Sequence, residues 1–299
     1  VLFCLSLSPF LFAQLTPVQK ANEFQQLAAL FSKRYAFYEW KRDIMNFDGL
    51  ALGAWLERVN NSKDDLEFLE ICGEYVASYQ DSHTTFLLPS TFEAFLGLGA
   101  DIYEGKVLID SIDRKVLPEK DYPIQIGDEV VSIDDQPVAE LIAYFARFAG
   151  EGNPVARQRT AAAMLFNRVQ SYVPRAHEIG DYASIALRRA DGTQQTYTLE
   201  WTKSGTPYTV AGPVPDPTFK AQPGRNAAAG QPGGTSALAR LRESKTYRLR
   251  QQRWVVGMGA LAPVFNMPST FTQRLGKSAS DSFYSGVFNY GGKMIGYLR

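Results

Sequence analysis

The stretch Gln125-Ile126-Gly127-Asp128-Glu129-Val130-Val131-Ser132-Ile133-Asp134-Asp135-Gln136-Pro137-Val138 constrains the fold of this chain more than any other. Gly127-Asp128 makes a tight turn into a strand whose Val131 and Ile133 stand two apart and share one face. Asp134-Asp135-Gln136-Pro137 is a second turn, and Val138 opens a helical pattern that reaches Phe148. Turn, strand, turn and helix in so short a span describe one compact supersecondary unit. Upstream, Leu96-Gly97-Leu98-Gly99-Ala100-Asp101-Ile102 joins a glycine loop to the start of a strand. Amides in such a loop can face a carboxylate, and the strand edge can pair with an extended peptide.

At 299 residues and 45% hydrophobic, the chain is long enough for two domains with separate cores. Its 31 basic residues balance 31 acidic ones, and the only dense basic run spans 240–253, so no nucleic-acid partner is expected. Residues 1–14, apolar from Val1 to Ala13 and interrupted by Pro9, have the length of the apolar core and cleavage site of an export signal. The expected location is periplasmic or extracellular. The run is too short to span a bilayer as a stable anchor. Cys4 would leave with that signal, and Cys72, spaced with Leu66, Leu69 and Val76 as on a helix face, reads as a packed thiol.

Thr16-Pro17-Val18-Gln19 carries the signature of a capped helix start, followed by Phe24, Leu27, Ala28 and Phe31 at helical spacing. A second helix is expected over Phe47 to Val59, and a third from a cap at 62–65 to Tyr79, giving a helical domain over 15–92. From 93 to 202 the pattern turns to strands, ending in a hairpin around Asp191-Gly192, with an inserted helical stretch between Pro154 and Tyr172. Residues 203–250 have the Pro, Gly and Ala content of a linker. Apolar residues return over 251–299, ending in the strand-like Gly296-Tyr297-Leu298, read as the start of a further α/β domain whose remaining strands lie outside the sequence.

The chemistry-bearing candidates are few. Asp81-Ser82-His83-Thr84 places Asp, Ser and His side by side, but relay triads are assembled from distant segments, so His83 reads as a hydrogen-bonded structural histidine at a helix end. His177 has no second ligand at metal spacing, and no metal or cofactor is expected. Ser-x-x-Lys, Gly-x-Ser-x-Gly and His-Glu-x-x-His motifs are absent; Gly276-Lys277-Ser278 lacks the upstream glycine of a phosphate loop.

The order of Tyr79-Gln80-Asp81-Ser82-His83-Thr84, Leu96-Gly97-Leu98-Gly99, Ile126 to Asp134 and Ile295-Gly296-Tyr297-Leu298-Arg299 resembles the tail-specific, or C-terminal processing, serine peptidases. The resemblance covers about residues 20–202 and 290–299, and departs at Asp135, where the family has glycine, and at Leu117-Pro118-Glu119. It implies an α+β fold: a helical bundle, a PDZ-like, partly open β-barrel, a linker, and the beginning of an α/β peptidase domain. It also implies a serine nucleophile activated by a lysine, both beyond the last matching piece, so that no catalytic residue is assigned within this chain. Substrate C-termini would then lie along Gly97, Leu98, Gly99, Ala100, Asp101 and Ile102, with the helix from Val138 as the far wall. Two other readings stay open: a non-catalytic PDZ scaffold that only binds protein tails, and a binding domain for small apolar ligands.

Overall fold

The computed structural model describes residues 14–209, 263, 266–278, 281 and 283–299. The apolar opening at 1–13, the linker from 210 to 250 and the basic run at 240–253 lie outside the described residues.

The chain starts as the capping signature dictates. Helix α1, Pro17–Arg34, has Thr16 as its cap, with the Thr16 hydroxyl and the Gln19 side chain each serving the other's backbone amide. The helix expected over Phe47 to Val59 starts only at Gly53, as α3 (Gly53–Asn60), and a further helix not foreseen, α2 (Tyr38–Met45), precedes it after a break. The break has a local cause: Asn46 closes α2 at φ 52°, in the left-handed region that ends helices. Helix α4, Asp65–Ser78, starts at the Asp64 cap as expected.

Because α4 is apolar on most of its circumference, it runs through the middle of this unit. Tyr75 is fully buried, with the rings of Phe24 at 5.0 Å, Tyr79 at 5.5 Å and Trp55 at 5.6 Å around it. Its hydroxyl donates to the Gly49 carbonyl at 2.8 Å, so the burial leaves no polar atom unmet. Cys72 is buried among the same side chains, and burial pushes its thiol up to about 12.

The second unit is built on a sheet of strand order β2-β3-β4-β7-β8, from β2 (Leu98–Tyr103), β3 (Lys106–Ile112), β4 (Glu129–Ile133), β7 (Tyr182–Arg188) and β8 (Gln194–Glu200). Every pairing in it is antiparallel, and among the described residues the sheet does not close into a barrel. The two-residue strand β5 (Gln136–Pro137) folds back on β4 through Asp134 and Asp135, at φ 51° and 63°. Both central residues of this turn are left-handed, as a tight hairpin requires, so aspartate stands here in a conformation that glycine adopts more readily. Helix α5, Val138–Ala146, follows at once.

The inserted stretch becomes helix α6, Pro154–Ala163, capped by Asn153, and then strand β6, Asn167–Val169. Strand β6 pairs with β1 (Glu93–Phe95), and β1 pairs on its other side with β9 (Thr202–Ser204). Ordered chain therefore continues past residue 202, where the sequence reading placed the start of the linker. The core joins Leu96, Ile109, Ile133, Phe145, Leu165, Ile185 and Leu199.

Polar contacts fasten the two units together. Arg175 grips both carboxylate oxygens of Asp64 at 2.7 Å, and the Tyr144 hydroxyl donates to buried Glu70 at 2.6 Å. Strands β10 (Thr272–Leu275), β11 (Ser285–Tyr290) and β12 (Lys293–Leu298) form a separate antiparallel sheet. Part of the sheet expected for the last strand is thus present in the sequence. Arg299 ties it to the second unit, donating to the Tyr103 hydroxyl at 2.7 Å and pairing with Asp110 at 3.5 Å.

Candidate functional site

Two segments compete for the role of functional site: the loop after α4 and the glycine loop leading into β2. Helix α4 ends at Ser78, and Gln80, at φ 51°, turns the chain away from the helix axis. Asp81 then closes a tight turn. Its Oδ1 accepts from the His83 amide at 2.9 Å and lies 3.2 Å from His83 Nδ1. Its Oδ2 accepts from the Tyr35 hydroxyl at 2.8 Å. A short aspartate side chain bonding the backbone two residues on is what lets sequence neighbours reach each other here.

The carboxylate and the ring sit in opposite surroundings. The Asp81 side chain is 15% exposed and that of His83 is 95% exposed. Burial pushes the Asp81 carboxyl up, but hydrogen bonds from the His83 amide and the Tyr35 hydroxyl outweigh it and leave the group below the usual carboxylate range. The Tyr35 phenol is driven above its ordinary value by burial and by Asp81, so it stays a donor. With Nδ1 facing an ionised carboxylate, the proton of a neutral imidazole belongs on Nδ1, and the lone pair of Nε2 faces outward. Among the described residues Nε2 has no hydrogen-bond partner. The hydrogen bond expected of His83 is present, to Asp81, and its ring is exposed. Sequence reasoning set it aside because adjacent residues seldom align as a relay; the Asp-x-His spacing of an Asx turn was the signal available.

The glycine loop has the reverse character. Gly97, Leu98, Gly99 and Ala100 are all buried, and Asp101 and Ile102 partly so. Gly97 lies at φ 78°, its carbonyl accepts from the Asp113 amide at 2.7 Å, and an added Cβ would stand 3.1 Å from Leu117 and Val116. Glycine is required here by its positive φ and by the close packing of Leu117 and Val116. Helix α6 packs against β2 and α5. Arg159 on α6 holds Asp101 with two bonds, 2.9 and 2.6 Å, and the Ile102 amide is taken by the Asp101 carboxylate at 2.8 Å. Along the slot foreseen from Gly97 to Ile102, Leu117 and Val116 stand against Gly97, and the inserted helix α6 reaches Asp101 through Arg159. Its insertion was legible in the sequence; its place beside β2 was not.

No group of three or more His, Cys, Asp or Glu side chains arranged to hold a metal occurs among the described residues. His177 serves a local network, its Nδ1 2.8 Å from Gln170 Nε2. No described helix is long and apolar enough to cross a membrane.

Residues 92–210 match the PDZ domain family, a span that runs from the residue before β1 to just beyond β9. No curated protein sequence matches the chain. Among solved structures it is similar to mature CPAF, with 17% identity, a TM-score of 0.55, and coverage of 95% of this chain and 47% of that one. Mature CPAF complexed with lactacystin gives 16% identity, a TM-score of 0.56, and coverage of 95% and 48%. A serine-to-alanine mutant of CPAF gives 17% identity and 0.52, over 63% of this chain and 34% of that one. The chain thus spans about half the length of the mature CPAF chains it matches. The open antiparallel sheet and the glycine loop lie within residues 92–210, the PDZ domain, which together with the helical unit before it belongs to a mixed fold similar to that of CPAF.

Proposed function

We propose that this chain is part of an exported serine-type endopeptidase and that it contributes the general base, His83. The observation that carries the reading is the Asp81-His83 pair: a carboxylate on Nδ1 and an exposed Nε2. The likeness to CPAF, a serine protease, supports a serine partner. The nucleophile would come from polypeptide outside the 299 residues. The family resemblance implied a lysine base; in this reading an imidazole held by a carboxylate through Nδ1 fills that role.

In this reading Nε2 takes the proton of the serine hydroxyl as its oxygen attacks the substrate carbonyl carbon. The imidazolium, steadied by Asp81, then passes that proton to the amine as the peptide C–N bond breaks. Water repeats the cycle on the acyl-enzyme, giving up its proton to Nε2 and returning the serine hydroxyl. Tyr35 positions Asp81 and exchanges no proton with substrate.

The PDZ domain supplies substrate selection. Protein C-termini would lie along β2 beside α6, whose Arg159 holds Asp101. Export rests on the apolar opening of the sequence. The test is labelling of the full-length protein with a serine-directed fluorophosphonate, alongside His83→Ala. Wild type is expected to label and to cleave an unstructured protein. Labelling and cleavage by His83→Ala at the wild-type rate would overturn the assignment.

A further inference from the structure

A cavity of about 170 Å³ opens beside His83: Ser82 and Thr84, its two neighbours, both line it. The cavity lies where α4, the His83 loop and the α5–α6 connection meet. It is smaller than the usual range of about 300–1,000 Å³ for small-molecule sites, so it suits one side chain rather than a cofactor.

Its chemistry is divided. Val76, Phe86, Phe148 and Met164 give an apolar wall for an aliphatic stem. Glu151 gives an acidic one. Its Oε1 accepts from the Thr160 hydroxyl at 2.6 Å, while Oε2 is buried with no hydrogen-bond partner among the described residues. A buried carboxylate oxygen without a donor is costly, and a donor brought by a guest would relieve it. Among the described residues no Lys, Arg or His lines the cavity to answer that charge. The carbonyls of Asp81 and Thr84 press on the same connection, 3.1 and 3.3 Å from where a Cβ would stand on Gly150. The surroundings of the acid therefore offer acceptors and hydroxyls but no cation.

We infer that this cavity is a specificity pocket for a basic side chain, lysine or arginine, placed next to the scissile bond, with Glu151 as the residue that selects it. This inference rests on the peptidase reading in which His83 is the base. The stem of the guest lies along Phe148 and Met164, and its cationic head replaces the donor that Glu151 lacks.

The experiment titrates full-length protein with Nα-acetyl-lysine amide and with Nα-acetyl-norleucine amide, which keeps the stem without the ammonium, following both by NMR. The lysine probe is expected to bind about tenfold or more tightly than norleucine, in line with one charged hydrogen bond, and Glu151→Gln is expected to erase the difference. Equal binding of the two probes by wild type, binding of neither, or an undiminished lysine preference in Glu151→Gln would each overturn the pocket. Should Glu151→Gln fail to fold, Ala77→Leu fills the cavity without touching the acid and is expected to exclude both probes; undiminished lysine binding there would place the probe elsewhere and overturn the pocket. Cleavage of a peptide library by full-length protein separates the two ideas. A protein that binds lysine selectively yet cleaves nothing overturns the peptidase reading alone, and an active peptidase indifferent to basic residues overturns the pocket alone.

Discussion

The loop of Asp81 and His83 and the loop of Gly97 to Ala100 lie only some fifteen residues apart, yet they trade places between sequence and structure. The glycine loop has the composition of an open binding site and is buried, with Leu117 and Val116 against Gly97. The histidine loop has the composition of a helix end and presents its ring to solvent. The difference teaches that glycine content reports backbone freedom, which packing and ligand binding both require. A side chain held by one atom and exposed at the other has fewer structural explanations.

Three substitutions bear on that contrast, and the largest effect is expected at Asp81. Asp81→Asn leaves the turn but removes the charge that fixes the imidazole tautomer. The kcat of full-length protein on an unstructured substrate is expected to fall by about 10²–10⁴-fold with little change in KM. A fall in KM and kcat together, or no fall, would make the aspartate a turn residue only.

Gly97→Val probes the other loop. The φ of 78° and the contacts at 3.1 Å leave no relaxed place for a side chain. Destabilisation of about 2–3 kcal/mol is expected in urea unfolding. Unchanged stability would mean that the loop yields easily, as a ligand site does.

The smallest effect is expected from Arg159→Ala. The Arg159 side chain is 55% exposed, so breaking its pair with Asp101 should change stability by less than about 1 kcal/mol. Affinity for a peptide ending in a free carboxylate should nevertheless rise, since the hold of α6 on β2 is loosened; calorimetric titration reads this directly. Wild-type protein that already binds such a peptide as well as the variant would show that α6 is no obstacle.

Local chemistry made much of the fold legible. The Thr16-Gln19 box, the Asp64 cap, the Gly127 turn and the Asp134-Asp135 hairpin all act within a few residues of themselves, and each forms as its sequence directs. Helix α2 was missed, and the helix over Phe47 to Val59 was begun too early, because Asn46 is an ordinary residue until its φ is known. The reach of the ordered chain to β9 was missed because three exposed residues, Thr202 to Ser204, gain their order from pairing with β1 rather than from their own composition. At the candidate site the glycine segment was found but its burial was not, since Leu117, Val116 and α6 come from distant sequence. Glu151 was invisible for the same reason. Its surroundings are assembled from α4, α6 and the His83 loop, and nothing in Gly150-Glu151-Gly152 itself marks an acid turned into a cavity.

The tight seating of Gly150 and Gly152 against the carbonyls of Gln80, Asp81 and Thr84 has a mechanical outcome. Any side chain at Gly150 or Gly152 would push the two stretches of backbone apart, so the wall between the α5–α6 connection and the loop of His83 depends on both residues being glycine.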